Sequence, residues 1–151
     1  MKELNNNPII KVFIRHLKSK QLKLTKQRLN ILEIFLESDK HLTADEIYQK
    51  VRKKNPSTGH STVYRTLKLL VECKIAKEHD FGCGSSRYEA CFEKAHHDHL
   101  ICLKCNQIYE FENKEIELLQ EKIAESFSFE ILDHKLELYG ICSSCKKKEK
   151  L

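Results

Sequence analysis

The chain has no apolar run long enough to cross a membrane as a helix, and it does not begin with a basic segment followed by an apolar one. These two absences argue against a membrane protein and against a secreted one. We therefore expect a soluble protein that stays in the cytoplasm. In that reducing compartment, the seven cysteines favour metal binding over disulfide bonds.

Several signatures of enzymes are also missing. The sequence contains no His-Glu-x-x-His pattern, no obvious nucleophile pair and no glycine-rich loop that would hold a substrate phosphate. These absences argue against an enzyme. A His/Asp/Glu metal site that activates water, as in a metal-dependent hydrolase, is the alternative that the residues leave open.

Charge is distributed unevenly along the 151 residues. Residues 1–91 hold 18 Lys/Arg and 10 Asp/Glu, a net charge of +8, whereas residues 92–151 hold 9 and 12, a net charge of −3. This asymmetry predicts two small domains, 1–91 and 92–151, with a nucleic-acid contact in the first and a metal site in the second. A solvated surface with uneven charge is the alternative.

The basic half has the pattern of a helical DNA-binding domain. Apolar residues at helical spacing predict a first helix over residues 8–20, and Thr25 is suited to cap a second. Thr43 and Glu46 form a capping box that predicts the start of a third helix. Each of these is a local signal that does not depend on the rest of the fold.

A fourth helix is predicted over residues 60–73, after a turn at residues 55–59. Its apolar side faces inward, and a hydroxyl, aromatic and basic side faces outward, which is typical of a DNA recognition helix. An ordinary amphipathic surface helix is the alternative. The strands predicted at residues 75–78 and 86–89 would complete a winged helix-turn-helix. The inward residues are Val63, Leu67 and Leu70, and the outward ones are Ser61, Tyr64, Arg65 and Lys68.

The second half predicts a small α/β unit. We expect strands at residues 100–103 and 108–111, a helix over residues 114–126 and a long strand over residues 129–141. The helix should bury Ile116, Leu119 and Ile123. The strand should place Leu132, His134, Leu136 and Leu138 on one face, and the final lysines, Lys146, Lys147, Lys148 and Lys150, should form a frayed tail.

Four of the cysteines form two Cys-x-x-Cys pairs separated by 36 residues. Four thiolates complete the tetrahedral coordination of zinc and leave no open position, which is typical of a structural site. Two redox disulfides are the weaker alternative. The pairs are Cys102 with Cys105 and Cys142 with Cys145. Of the other cysteines, Cys73 and Cys91 are predicted to be buried small hydrophobic residues, and Cys83 receives no role.

Three histidines and an aspartate precede the first cysteine pair. Because side chains alternate along a strand, His97 and His99 should point to one side, and His96 and Asp98 to the other. This geometry predicts two metal sites that flank one strand. Taken alone, His134 would be a core histidine and His41 an ordinary loop residue.

Four segments together resemble the ferric uptake regulator family of bacterial repressors. They are residues 96–105 (His-His-Asp-His-Leu-Ile-Cys-Leu-Lys-Cys), the later Cys-x-x-Cys, residues 61–67 (Ser-Thr-Val-Tyr-Arg-Thr-Leu) and residues 41–48 (His-Leu-Thr-Ala-Asp-Glu-Ile-Tyr). The resemblance implies an α+β fold, with an N-terminal winged helix-turn-helix and a small α/β dimerisation domain that holds structural zinc. It also implies a homodimer, with a tetramer as the alternative, that binds palindromic double-stranded DNA when a regulatory metal is loaded and controls metal-uptake genes.

The resemblance also assigns residues to sites. It places structural zinc on the four paired cysteines, a regulatory metal between the two domains, a further metal beside it, and DNA contacts that include a minor-groove lysine. The regulatory set is His41, Glu89, His97, His99 and Glu110; the additional set is His96, Asp98, Glu117 and His134; the DNA contacts are Lys23, Tyr64 and Arg65.

Iron(II) is the regulatory metal that the resemblance favours, with manganese(II) or zinc(II) in its place as alternatives. Glu110 stands where peroxide-sensing relatives carry aspartate, and Arg65 stands where some of them carry asparagine. Cys91 lies near a cysteine that zinc-sensing relatives use. A zinc- or peroxide-responsive regulator of the same family is therefore the alternative function.

Overall fold

A computed structural model describes residues 7–38, 40–82, 84–91 and 96–148. The chain divides into two compact units, Met1–Lys94 and Ala95–Leu151. The domain boundary predicted after residue 91 falls next to residues outside the described ranges, and it stays a prediction. No helix in the described part of the chain is long and apolar enough to cross a membrane.

Within its described residues, the N-terminal unit contains four helices, and the first three begin at a side chain that caps the backbone. Helix α1 spans Pro8–Ser19, α2 Lys26–Leu36, α3 Ala44–Lys54 and α4 His60–Glu72. The Thr25 hydroxyl accepts a hydrogen bond from the backbone N–H of Arg28 at the start of α2. Thr43 and Glu46 form the predicted capping box of α3 in both directions.

The apolar faces of these helices meet in one core. Phe13 of α1, Phe35 of α2, Ile47 of α3 and Leu67 of α4 are fully buried there. Leu70, one helical turn after Leu67, lies in the same cluster. The predicted inward side of α4 is therefore confirmed, and its opposite side is left at the surface.

A three-stranded antiparallel sheet completes this unit, in the order β1-β3-β2. The strands are β1 Leu42–Thr43, β2 Ala76–His79 and β3 Arg87–Ala90. Strands β2 and β3 lie one residue later than predicted, and β1 was not predicted at all. The turn between β2 and β3 uses Gly82 and Gly84 at positive φ, a conformation that glycine adopts without steric cost.

The described residues of the C-terminal unit form a second three-stranded sheet and two helices. Strand β4 spans Asp98–Cys102, β5 Ile108–Phe111 and β6 Glu137–Gly140; helix α5 spans Lys114–Ser126 and α6 Ser143–Lys148. The strand order is β5-β4-β6, with β4 antiparallel to β5 and parallel to β6. Strand β4 is therefore the centre of the sheet.

Three predictions for this unit are wrong. The long strand over residues 129–141 is only β6, because residues 129–136 have no ladder partner among the described strands, and Leu132 is 88% exposed. Lys146, Lys147 and Lys148 belong to α6 instead of a frayed tail, and Lys150 lies outside the described residues. On α5 the buried residue is Ala124, whereas Leu119 and Ile123 are exposed, because the small sheet does not cover that side of the helix.

Candidate metal centres

The four paired cysteines form one cluster in the C-terminal unit. Cys102 ends β4, Cys105 lies in the turn before β5, and Cys142 and Cys145 lie at α6. The Cys102 and Cys145 sulfurs are 3.9 Å apart, and those of Cys105 and Cys142 are 3.7 Å apart. Zinc–sulfur bonds of about 2.3 Å in a tetrahedron put the sulfurs about 3.8 Å apart. The four thiols therefore fit a zinc ion.

The protein environment makes these four thiols unequal acids. The backbone N–H of Cys142 lies 3.3 Å from the Cys102 sulfur, and this hydrogen bond is the main reason that the pKa of Cys102 falls to about 6. The sulfurs of Cys142 and Cys105 next to Cys145 raise the pKa of that thiol to about 12. Four adjacent thiolates repel one another, so a cation is needed for all four to ionise together.

A second cluster combines two histidines and two carboxylates of the same unit. The Nε2 atoms of His96 and His134 lie 3.3 Å and 3.8 Å from Oδ1 of Asp98, and His134 Nε2 lies 3.4 Å from Oε1 of Glu117. Within the described residues, both oxygens of Asp98 are buried without a hydrogen-bond partner, as are Oε1 of Glu117 and Nε2 of His134. Buried carboxylates without donors are costly unless a cation neutralises them, so this cluster also fits a divalent metal.

Strand β4 separates this cluster from other donors. Asp98 and His99 are successive residues of β4, so their side chains point to opposite faces of the sheet. His99 pairs directly with Glu110 of β5. The His97 ring lies 5.0 Å from the His99 ring, and its Nε2 is 4.0 Å from Oε2 of Glu110. This unit therefore has a third group of metal donors, formed by His97, His99 and Glu110.

The two predicted regulatory residues of the N-terminal unit also lie together. His41 precedes β1, Glu89 lies on the adjacent strand β3, and His41 Nε2 is 3.0 Å from Glu89 Oε2. Arg87, two residues before Glu89, donates from Nη1 to the His41 carbonyl oxygen at 3.1 Å. Because β1 and β3 are paired, the sheet of the winged unit fixes this histidine–carboxylate pair.

Sequence reasoning missed His79. Its Nε2 also lies 3.0 Å from Glu89 Oε2, and its side chain is buried. The predicted strand stopped at residue 78, so the pairing of His79 with Arg87 was not considered. Once the hairpin register is known, His79 is the diagonal neighbour of Glu89 on one face.

The residues assigned to DNA lie at the surface of the N-terminal unit. Lys23 lies exposed between α1 and α2, where the guanidinium of Arg28 donates to its carbonyl oxygen. Tyr64 and Arg65 are exposed on α4, and the Lys68 ammonium lies 5.0 Å from the centre of the Tyr64 ring. This surface offers an aromatic ring and cations, which are groups that contact DNA backbones and base edges.

Within the described residues, Cys73 and Cys91 belong to none of these clusters. Cys73 and Cys91 are partly buried instead of fully buried as predicted. The Cys73 thiol donates to the carbonyl oxygen of Leu70 at 3.5 Å, and that of Cys91 donates to the carbonyl oxygen of Lys74 at 3.3 Å. Burial raises the pKa of Cys73. Cys83 lies outside the described residues.

A winged helical unit with a basic and aromatic surface helix, together with a unit built around cysteine and histidine–carboxylate clusters, defines the class of metal-binding transcription regulators. The model of the ferric uptake regulator family matches residues 19–139, and the chain belongs to that family.

Individual proteins and solved structures that resemble this chain support the family assignment. The ferric uptake regulation protein of Neisseria meningitidis serogroup A is 41% identical over 139 residues, covering 91% of this chain and 95% of the relative. The structure of the ferric uptake regulator from Helicobacter pylori, described as having three functional metal-binding sites, matches 93% of this chain and 95% of its own, with a TM-score of 0.84 and 30% identity. The structure of a zinc-bound manganese uptake regulator matches 87% of this chain and 98% of its own, with a TM-score of 0.69 and 41% identity.

Family membership settles several predictions. Proteins of this family are transcription regulators and not enzymes, so the chain is not a metal-dependent hydrolase. The predicted α+β class, with an N-terminal winged helix-turn-helix and a small C-terminal α/β unit, is confirmed by the matching structures.

Proposed function

We propose that this protein is an iron(II)-responsive repressor of metal-uptake genes that works in the cytoplasm as a homodimer on palindromic DNA. The observation that carries the proposal is the His41–Glu89 pair, because it builds two metal donors into the sheet of the DNA-reading unit, with Nε2 and Oε2 3.0 Å apart. A ligand set that includes this pair would link metal loading to the unit that reads DNA.

The proposed regulatory set takes the rest of its ligands from the C-terminal unit. His97, His99 and Glu110 converge there on one face of β4 and β5. A bound divalent ion would supply the attraction that makes all five side chains prefer one arrangement of the two units. That preference equals the difference in affinity for the ion between the arrangements.

Iron(II) and manganese(II) prefer a site of nitrogen and oxygen donors to a site that contains a thiolate. Within the described residues, Cys91 belongs to none of the groups of metal donors, which argues against its use in a zinc-sensing site. The ferric name of the Neisseria relative supports iron. The manganese uptake regulator makes manganese(II) the second candidate.

The two other clusters have separate proposed roles. Cys102, Cys105, Cys142 and Cys145 would hold structural zinc, since their sulfurs already have tetrahedral spacing. The additional site would use His96, Asp98, Glu117 and His134, whose buried polar atoms lack hydrogen-bond partners in the described part of the chain.

Dimerisation would use the apolar surface of the C-terminal unit. Phe127 and Phe129, after α5, are 79% and 68% exposed, and Leu119 and Ile123 on α5 are more than half exposed. Contiguous exposed apolar side chains of this size are typical of protein–protein interfaces. A second copy of the chain would cover them, and sedimentation would distinguish a dimer from a tetramer.

Fluorescence anisotropy with a labelled palindromic uptake promoter tests the proposal. Protein that retains structural zinc should bind the DNA tightly only after iron(II) or manganese(II) is added. His97→Ala and His99→Ala should abolish this response, whereas His16→Ala, which removes a histidine paired with Glu72 on α1 and α4, should keep it. Equal DNA binding with and without metal would refute the switch.

A further inference from the structure

Two histidines of the N-terminal unit, His41 and His79, contact the same carboxylate oxygen of Glu89. The Nε2 atoms of both histidines lie 3.0 Å from Oε2 of Glu89, and the three side chains are only 3–4% exposed. We propose that His79 is a positioning residue, which holds the Glu89 carboxylate in the orientation needed for metal binding without becoming a ligand. This inference rests on the proposed function, in which Glu89 is a ligand.

The register of the sheet explains why His79 reaches Glu89. His79 pairs with Arg87, and Lys77 pairs with Glu89, across β2 and β3. Directly paired residues of an antiparallel ladder share a face, and so do residues two apart on one strand. His79 and Glu89 are therefore diagonal neighbours on the same face, and their contact follows from backbone pairing.

An aromatic neighbour fixes the ring of His79. The Phe81 ring is stacked against it, with centroids 5.2 Å apart and planes 5° apart, and Phe81 is itself buried. The His41 ring meets both of these rings edge-on, at 68°. This stacking restricts tilting of the His79 ring and favours the orientation in which its Nε2 faces Oε2 of Glu89.

If His41 is the ligand that the proposed function assigns, hydrogen-bond chemistry gives His79 a different role. An ionised carboxylate oxygen only accepts, so an imidazole bonded to it must carry its proton on the nitrogen that faces it. A protonated nitrogen has no lone pair for a metal. If His41 gives its Nε2 lone pair to an ion, its bond to Oε2 is lost, and the His79 Nε2–H remains as a donor. Outer donors of this kind fix the orientation of ligating carboxylates.

Two substitutions separate positioning from ligation. His79→Phe keeps a flat ring against Phe81 and removes the N–H, whereas His79→Gln keeps an N–H donor. Manganese(II) affinity is measured by competition with a chelator, and the cobalt(II) absorption spectrum reports the ligand set. His79→Phe should weaken manganese(II) binding by about 10- to 100-fold. His79→Gln should restore most of the affinity, and both should keep the wild-type cobalt(II) spectrum.

Equal losses in both variants with a changed cobalt(II) spectrum would make His79 a ligand and overturn the inference, as would unchanged affinity in His79→Phe. Should either variant fail to fold, ¹⁵N-histidine NMR of the wild-type protein loaded with zinc(II) decides: a proton on His79 Nε2 supports the inference, and a metal-bound nitrogen overturns it. Glu89→Gln is the control for the proposed function. Wild-type metal affinity in that variant would overturn the proposed ligand set itself.

Discussion

The thiols of the cysteine cluster differ in how readily they lose the proton that zinc binding displaces. At neutral pH, Cys102 is ionised because the Cys142 N–H lowers its pKa to about 6, whereas Cys145 keeps its proton because neighbouring sulfurs raise its pKa to about 12. The pKa of Cys105 is also raised, so zinc would have to displace at least two protons to be bound by four thiolates.

Cys102→Ser should release the zinc and destabilise the C-terminal unit. The reason is that three thiolates hold zinc less tightly than four, and zinc affinity contributes directly to the folding of small metal sites. Zinc content per chain and thermal unfolding measure the effect. Cys73→Ser is the matched control, because Cys73 lies in the other unit. A folded Cys102→Ser protein with a full complement of zinc would contradict the assignment.

Zinc retention should depend on pH in a defined direction. A thiol must lose its proton to bind zinc, so affinity falls as pH decreases through the thiol pKa values. Because the Cys102 pKa is lowered to about 6, acidification below about pH 6 adds a further proton that competes with zinc. Zinc transfer to a chromophoric chelator is followed from pH 8 to pH 5. The extent of transfer should rise more steeply with falling pH below pH 6. A pH-independent transfer would exclude thiolate ligands.

Residue identities were predictable where spacing along the chain carried the signal. Two Cys-x-x-Cys pairs indicated one site because that chemistry needs four thiolates. His79 was not predictable, since its contact with Glu89 depends on the hairpin register, and the predicted strand ended one residue too early. A long-range pairing cannot be derived from local residue types.

At the level of elements, capping residues in the sequence located the starts of α2 and α3. Helix α3 begins where the Thr43–Glu46 capping box predicts it. In the C-terminal unit, the strand predicted over residues 129–136 is absent, because strand propensity does not supply a ladder partner. The prediction that α5 buries its apolar side was wrong, because periodicity shows which side of a helix is apolar but not what covers it.

Thr43→Ala should destabilise α3 by about 1 kcal/mol, because it leaves the Glu46 N–H without its capping hydroxyl. Thermal unfolding of the protein should show a lower midpoint. Thr43→Ser, which keeps the hydroxyl, should unfold close to the wild-type temperature. Identical midpoints for Thr43→Ala and wild type would show that the cap contributes nothing.

Arg65→Ala on α4 should weaken binding to the operator by about 1–3 kcal/mol and relax its base preference, if Arg65 contacts a base edge. Anisotropy with matched and mismatched operators measures both effects. Lys53→Ala is the control, because Lys53 is an exposed cation in the last turn of α3. Loss of affinity without any loss of base discrimination would instead assign Arg65 to the phosphate backbone.

For the whole molecule, the sequence predicted the α+β class because each unit carries its own signal: capped helices and a wing in one, and paired cysteines around a small sheet in the other. The apolar surface of the C-terminal unit was not predicted, since Leu119 and Ile123 were expected to be buried within the chain. A small sheet leaves more apolar area than one chain can cover, which a second copy would bury.

The central claim is that metal binding and DNA binding are coupled, and coupling between two ligands is reciprocal. The most direct test is the manganese(II) affinity of the regulatory site, measured by chelator competition with and without operator DNA. DNA should tighten manganese(II) binding by the same factor by which manganese(II) tightens DNA binding, and Glu89→Gln should remove both effects. Equal manganese(II) affinity in the free and DNA-bound protein would contradict it.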